Sequence, residues 1–260
     1  IDCCAEHLWK VYYVNTAPKN RWRVTNTLDI IRMLEQKNPR VAIPLSQPIE
    51  NILPDRFPLD PYLVGVLLGD GSLTVNTMGI CKEDPEVINR CRPSLEAMGY
   101  YLHHLPERNT YAIRRGAMLK DTNQHPLKDI LVSLGMFGKR SWEKSIPSCY
   151  MDISVENRKA LLQGLMDTDG HVGKCGHLTF STTSEVMAKQ FQQLVWSMGD
   201  ICKLLNKQKY FTYKDEKKAG RPSFDLSIRS KKPSMYVSLP RKLERINDNN
   251  QYSNDLKLYI

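Results

Sequence analysis

The sequence predicts an α+β fold of two αββαββα repeats related by a pseudo-twofold axis, each carrying an antiparallel sheet. Three observations support this. First, Leu63-Val-Gly-Val-Leu-Leu-Gly-Asp70-Gly71 aligns without gaps to Leu162-Gln-Gly-Leu-Met-Asp-Thr-Asp169-Gly170, with the two aspartates 99 positions apart. Second, the flanks match: Asp84-Pro85-Glu86 and Ser184-Glu185 each offer an N-cap with an acidic first turn, and the stretches behind them end at Met98-Gly99 and Met198-Gly199. Third, helix-like stretches alternate with pairs of short strand-like runs, as antiparallel hairpins between helices require.

Taken in order, Asp60 caps a helix that opens on Pro61 and ends at Gly71. Residues 72–82 mix polar and apolar positions as a hairpin does. Tyr100–His104 and Asn109–Arg115 form a second hairpin around the turn Pro106-Glu-Arg-Asn109. A helix over Gln124–Leu134 then leads to Gly135 and Gly138. The second repeat opens with a helix near Ser154 and has strands at Leu178–Ser181, Tyr210–Lys214 and Phe224–Arg229. The expected divisions are an N-terminal extension over 1–57, a first repeat over 58–150, and a second repeat with a basic tail over 151–260.

Composition narrows the partners. The formal charge is +9 over 260 residues, and residues 201–260 alone hold 14 Lys and Arg against 6 Asp and Glu. A concentrated positive field favours polyanions, because each neutralised phosphate releases condensed counterions. The seven cysteines include no C-x-x-C pair, and Cys175 with His177 lacks a matching second half, so neither a zinc site nor a disulfide framework is expected. With no apolar run long enough to span a bilayer and no charged-then-apolar leader, the expectation is a cytoplasmic protein with no membrane partner.

The motif itself suits metal chemistry. Gly65 and Gly69 lie four apart on one helical face, matched by Gly164 and Thr168, and such a stripe lets two helix backbones approach closely. Packed that way, Asp70 and Asp169 emerge side by side, where two carboxylates repel unless a cation joins them. Magnesium takes oxygen ligands and is completed by water and phosphate oxygens. An EF-hand reading of Asp167-Thr-Asp169-Gly170 fails for want of further acidic spacing and a closing Glu.

Both segments resemble the LAGLIDADG motif of homing endonucleases, and the flanks resemble the intein-encoded variety. Lys144-Ser-Ile-Pro147 is similar to the block that supplies that group's active-site lysine, while Ala5-Glu-His-Leu-Trp-Lys10 and Trp22-Arg-Val-Thr25 resemble the stretch joining a splicing domain to its endonuclease. The resemblance covers about residues 58–235. It implies a monomer with internal pseudo-twofold symmetry whose two curved sheets form a saddle on a long duplex. Both strands are then hydrolysed with short 3′ overhangs and Mg²⁺ as cofactor, Mn²⁺ or Ca²⁺ substituting structurally. Splicing also needs a nucleophilic first residue and a final His-Asn pair; the chain begins Ile-Asp-Cys-Cys and ends Lys-Leu-Tyr-Ile, so a cutting module without splicing is expected.

The resemblance makes Asp70 and Asp169 the metal ligands, with the carbonyls of Gly69 and Thr168 as helpers. Lys144 becomes the first catalytic lysine, and Lys231, or else Lys232, the second. Groove-facing polar residues would read base edges. In the first repeat these are Ser72, Thr74, Asn76, Lys82, His103, Arg108, Tyr111, Arg114 and Arg115. In the second they are Lys174, His177, Thr179, Ser181, Lys207, Lys209, Lys214, Arg221, Asp225 and Arg229, with Lys232 on the backbone-clamping tail. Residues 1–57 are either a further DNA-contacting module or a remnant of a splicing domain. A non-catalytic relative, an RNA maturase or a DNA-binding regulator, is the alternative function; retention of both aspartates weighs against it.

Overall fold

Eight helices and three four-stranded antiparallel sheets organise the described residues of the computed structural model, which are 3–13, 21–36, 40–50, 55–74, 78–120, 125–213, 216–248 and 257–259. The chain opens with β1 (Leu8–Tyr13), β2 (Trp22–Asn26), α1 (Thr27–Leu34) and β3 (Val41–Pro44). The first repeat runs α2 (Pro61–Gly69), β4 (Gly71–Ser72), β5 (Gly79–Cys81), α3 (Pro85–Glu96), β6 (Tyr100–Leu105), β7 (Thr110–Arg115), α4 (Ala117–Lys120) and α5 (Pro126–Ser133). The second runs α6 (Val155–Thr168), β8 (Gly170–Val172), β9 (Leu178–Thr182), α7 (Glu185–Ser197), β10 (Ile201–Tyr213), β11 (Glu216–Arg229) and α8 (Pro240–Leu243). The last strand is β12 (Lys257–Tyr259).

The repeats share one topology. Their sheets have the strand orders β4-β5-β7-β6 and β8-β9-β11-β10, so each strand has its counterpart in the same place. Local signals start α2 and α7 where the sequence predicts, and α2 stops at Gly69, two residues before the expected Gly71. The Asp60 carboxylate accepts from Leu63 N at 2.9 Å, and Ser184 Oγ accepts from Met187 N at 3.2 Å. Gly99 and Gly199 take φ of +79° and +80° behind α3 and α7, a left-handed turn that glycine adopts without strain.

The motif helices pack at the centre. α2 is apolar all round and buried along nearly its whole length, as a helix enclosed on every side must be. Gly65 and Gly164 meet across the contact: a Cβ on Gly65 would lie 2.9 Å from Gly164 Cα, and one on Gly164 would lie 3.0 Å from Gly65 Cα. Neither backbone can yield to such an atom without parting the helices. Gly65→Ala is therefore expected to destabilise the fold by about 1–3 kcal/mol, an overpacking cost that chemical denaturation would read. A single apolar core continues from this contact through Ile113 and Leu102 on one side and Phe180 and Leu226 on the other.

Three further features depart from the sequence reading. β10 begins at Ile201, not Tyr210, because Lys203 to Lys209 gain their strand conformation from pairing with β11 and not from alternation of their own. Asp84 makes no side-chain cap on α3, since its carboxylate is held elsewhere. The final strand, β12, leaves the second repeat and pairs with β3, giving an N-terminal sheet of order β12-β3-β1-β2. That sheet and α1 enclose a small core of their own, made of Val11, Tyr13, Ile30, Met33 and Val41.

Candidate functional site

Asp70 and Asp169 are the C-caps of α2 and α6, each donating its backbone N–H to the residue four back, Val66 O at 2.9 Å and Leu165 O at 3.0 Å. Because the helices cross at Gly65 and Gly164, the two caps come together and their charges act on each other. Desolvation by the crowded walls of a cleft, reinforced by Asp70, pushes the Asp169 carboxyl up to about 6, although the residue stays open to solvent. Lys144, Lys82 and Lys242 pull against that rise.

Two lysines, Lys144 half-buried and Lys242 buried, serve the helix ends. Lys144 Nζ donates to the carbonyls of Leu68 at 2.8 Å, Gly69 at 3.1 Å and Gly71 at 3.2 Å. Lys242 Nζ donates to Met166 O at 2.6 Å, Asp167 O at 3.1 Å and Gly170 O at 2.8 Å. Each ammonium thus spends two N–H groups on last-turn carbonyls that a helix leaves unpaired, at the negative end of its dipole, and the third on the first carbonyl of the strand that follows. Burial depresses both, Lys242 to about 8.

Lys242, not Lys231, is therefore the second-repeat counterpart of Lys144. Lys231 is exposed at the end of β11, where its charge acts on Asp200, and Lys232 is exposed beside it. The sequence held a signal for this: Ser145-Ile146-Pro147 recurs as Ser238-Leu239-Pro240. Alignment on that signal puts Val237 opposite Lys144, because one lysine stands three residues before the proline and the other two after it.

Each lysine segment is tied across the repeats. Ser184, the N-cap of α7, donates Oγ to Lys144 O at 2.6 Å, and Gln190 brackets Ile146 with bonds of 2.8 and 2.7 Å. Buried Asp167 accepts from Ser238 N at 2.9 Å and from the Ser238 and Tyr62 hydroxyls, setting the turn into α8. Arg241 closes a bidentate pair on Asp84, the residue before α3, at 2.6 and 2.8 Å. That guanidinium holds the Asp84 carboxyl below its usual range and explains the missing helix cap.

Lys82 was expected on a groove face but lies at the aspartates. Its Nζ is 3.1 Å from Asp70 Oδ2, 3.6 Å from Asp84 Oδ2 and 3.4 Å from Thr168 O. Gly69 O and Thr168 O, the expected carbonyl helpers, therefore each accept from a lysine and keep one lone pair free. The chemistry of this oxygen set fits a hard divalent cation. Among the described residues no group of three or more His, Cys, Asp or Glu could hold a metal by itself, so water or phosphate oxygens must complete the shell.

Strand register sorts the groove residues. In the first sheet Tyr101, His103 and Arg114 share the outer face with Ser72, since Tyr101 pairs with Arg114 and His103 with Ala112. Tyr111 and Arg115 are corrected to the opposite face, where Leu102 and Ile113 are buried; Tyr111 stacks on His104 at 4.4 Å and Arg115 reaches Leu119 O at 3.5 Å. Thr74 and Arg108 are exposed in connections. Asn76 and Lys214 lie outside the described residues.

In the second sheet Thr179, Ser181, Asp225, Arg229 and Lys207 share the outer face. His171, Lys203 and Ser227 join them unforeseen. Asp225 accepts from Ser181 at 2.8 Å and pairs with Lys207 at 2.7 Å, while His177 meets Ser227 at 3.3 Å. Lys174 is exposed in the β8–β9 turn. Arg221 lies over the Trp142 ring at 3.6 Å. Lys209 lines a cleft with Lys144, Asp169, Ser181 and Ser223, so positive charge continues from the sheet into the site.

Residues 156–232 match the family model of a LAGLIDADG-like domain. The chain is 31% identical over 157 residues to the replicative DNA helicase DnaB of Mycobacterium intracellulare, covering 60% of this chain and 22% of that protein. It is 27% identical over 150 residues to RecA of Mycobacterium tuberculosis (strain ATCC 25618 / H37Rv), covering 53% of this chain and 18% of that protein. The chain thus spans about a fifth of the length of these curated relatives. Among solved structures it is similar to a mesophilic variant of the homing endonuclease I-DmoI, at 10% identity and a TM-score of 0.46 over 71% of this chain and 94% of that one. I-DmoI in complex with DNA and Ca is similar at 10% identity and a TM-score of 0.40, over 71% and 85% of the two chains.

Proposed function

We propose, from the premise that this chain carries a LAGLIDADG-like domain over residues 156–232, that it is a site-specific homing endonuclease hydrolysing both strands of a long DNA duplex and leaving short 3′ overhangs. One observation carries the reading: two helix-capping carboxylates meet at the contact of duplicated glycine-bearing helices, each helix end holding a lysine across its carbonyls. The outer faces of the two sheets supply the surface. Their exposed His, Arg, Lys and Ser side chains are the donors and acceptors that base edges and phosphates require.

Asp70 and Asp169 would hold magnesium ions, assisted by the carbonyls of Gly69 and Thr168. When bound, the divalent ion supplies Lewis-acid polarisation of a phosphoryl oxygen and a more acidic water. The three carbonyls on Lys144 and on Lys242 leave no N–H for proton transfer, so these ammoniums act as fixed positive charges beside the developing phosphorane. The chain works as a monomer whose two repeats stand in for two subunits, on cytoplasmic or nucleoid-associated DNA of a prokaryotic or phage host. The intein-encoded type is supported by Lys144-Ser-Ile-Pro147 and the Ala5–Lys10 and Trp22–Thr25 segments.

Cleavage selection from a randomised duplex library with Mg²⁺ tests the function. Recovered sites cut on both strands with short 3′ overhangs are expected. Binding without cutting, or preference for structured RNA in competition, would replace it with the regulator or maturase reading.

A further inference from the structure

The two aspartates are not equivalent, and Lys82 makes the difference. Its ammonium bridges Asp70 Oδ2 at 3.1 Å and Thr168 O at 3.4 Å, one oxygen from each repeat, and only 11% of the side chain is exposed. Those are the oxygens of one candidate cation site. In the second repeat the matching position, two before the N-cap, is Thr182, buried and accepting from Ser184 N at 3.1 Å. Asp169 therefore has no counterpart of Lys82.

We propose that Lys82 is a built-in counter-ion standing in the cation position of Asp70, so that a divalent cation enters there only by displacing it, and the Asp169 side loads first. The proposal rests on Asp70 and Asp169 being cation ligands. Lys82 has somewhere to go: Asp84 Oδ2 is 3.6 Å away, and Arg241 holds that carboxylate in place. The lysine can leave Asp70 for Asp84 or for an arriving phosphate without losing a partner.

Titrating the whole protein with Mn²⁺, read by electron paramagnetic resonance, tests this without any cutting. The wild type is expected to show a tighter and a weaker site, the weaker one lost in Asp70→Asn. Lys82→Met should tighten the weaker site about tenfold, the scale on which one displaced ion pair competes. Lys82→Arg should keep the sites unequal. Two equal sites in the wild type, a weaker site that Asp70→Asn leaves in place, or binding that Lys82→Met leaves unchanged or weakens would overturn the counter-ion role. So would no Mn²⁺ bound by any of these proteins. Failure of the nuclease reading would instead show as ordinary Mn²⁺ behaviour with no cleavage of any duplex.

Discussion

Asp169→Asn is expected to slow DNA hydrolysis by about a thousandfold while leaving duplex affinity within a few-fold. In the proposed reaction this carboxylate would be a cation ligand on the reacting phosphate, and losing such stabilisation costs several kcal/mol of barrier. The amide is nearly isosteric, and the residues proposed to face the groove lie mostly on the outer faces of the two sheets. Gel-shift and cleavage assays on one duplex read the two effects separately. A variant that still cuts at more than a tenth of the wild-type rate would remove Asp169 from the reaction.

The same substitution carries a stability signature. A carboxyl raised from its ordinary 3.8 to about 6 binds its proton more tightly in the fold than in the unfolded chain. Without metal, native stability therefore falls as pH rises from about 4 to 6, and the loss persists at neutral pH. Asparagine removes that charge, so Asp169→Asn should be more stable at pH 7 by about 1 kcal/mol, an amount discounted for the cleft's opening to solvent. The advantage should vanish below pH 4. Thermal melts at the two pH values without divalent ions check both statements.

Lys242→Met should lower cutting by about a hundredfold, and Lys231→Met by no more than about twofold. Lys242 is buried with three carbonyls on its ammonium at the end of α6, whereas Lys231 lies exposed beside Asp200. Methionine matches the volume but leaves Met166 O, Asp167 O and Gly170 O without their donor, so about 1–3 kcal/mol of fold stability goes as well. The comparison with Lys144→Met separates the two consequences. That variant strips the equivalent carbonyls of α2, so equal rate losses in the two would show that the lysines serve matched half-sites. Full activity in Lys242→Met would return the second lysine to an open question.

Some of this was readable one residue at a time. The duplicated motif, its caps and its glycines are local features, because a helix start, a left-handed turn and a small-residue stripe each depend on a few neighbouring side chains. They placed Asp70 and Asp169 at equivalent helix ends and set the order of elements in both repeats. Lys82 was visible as a basic residue behind the first hairpin, but nothing local distinguishes a lysine aimed at DNA from one aimed at Asp70. Tyr111 and Arg115 were misread because their neighbours Ala112 and Arg114 point the other way, and a strand's two faces are assigned only by what packs against them. The long β10 was missed since its lysine-rich start becomes a strand by pairing with β11.

What the sequence alone determined, then, is the repeat, its helix boundaries and the pair of acids, since backbone propensity and periodicity encode them within each segment. What only the tertiary structure decided is which cations join Lys144 at those acids. Lys144, Lys242 and Lys82 reach the site from different sides of it, across separations in sequence of 76, 76 and 86 residues to the carbonyls they engage. A bond of that kind is set by how the helices cross and how the tails fold back, and no local pattern of residues records it.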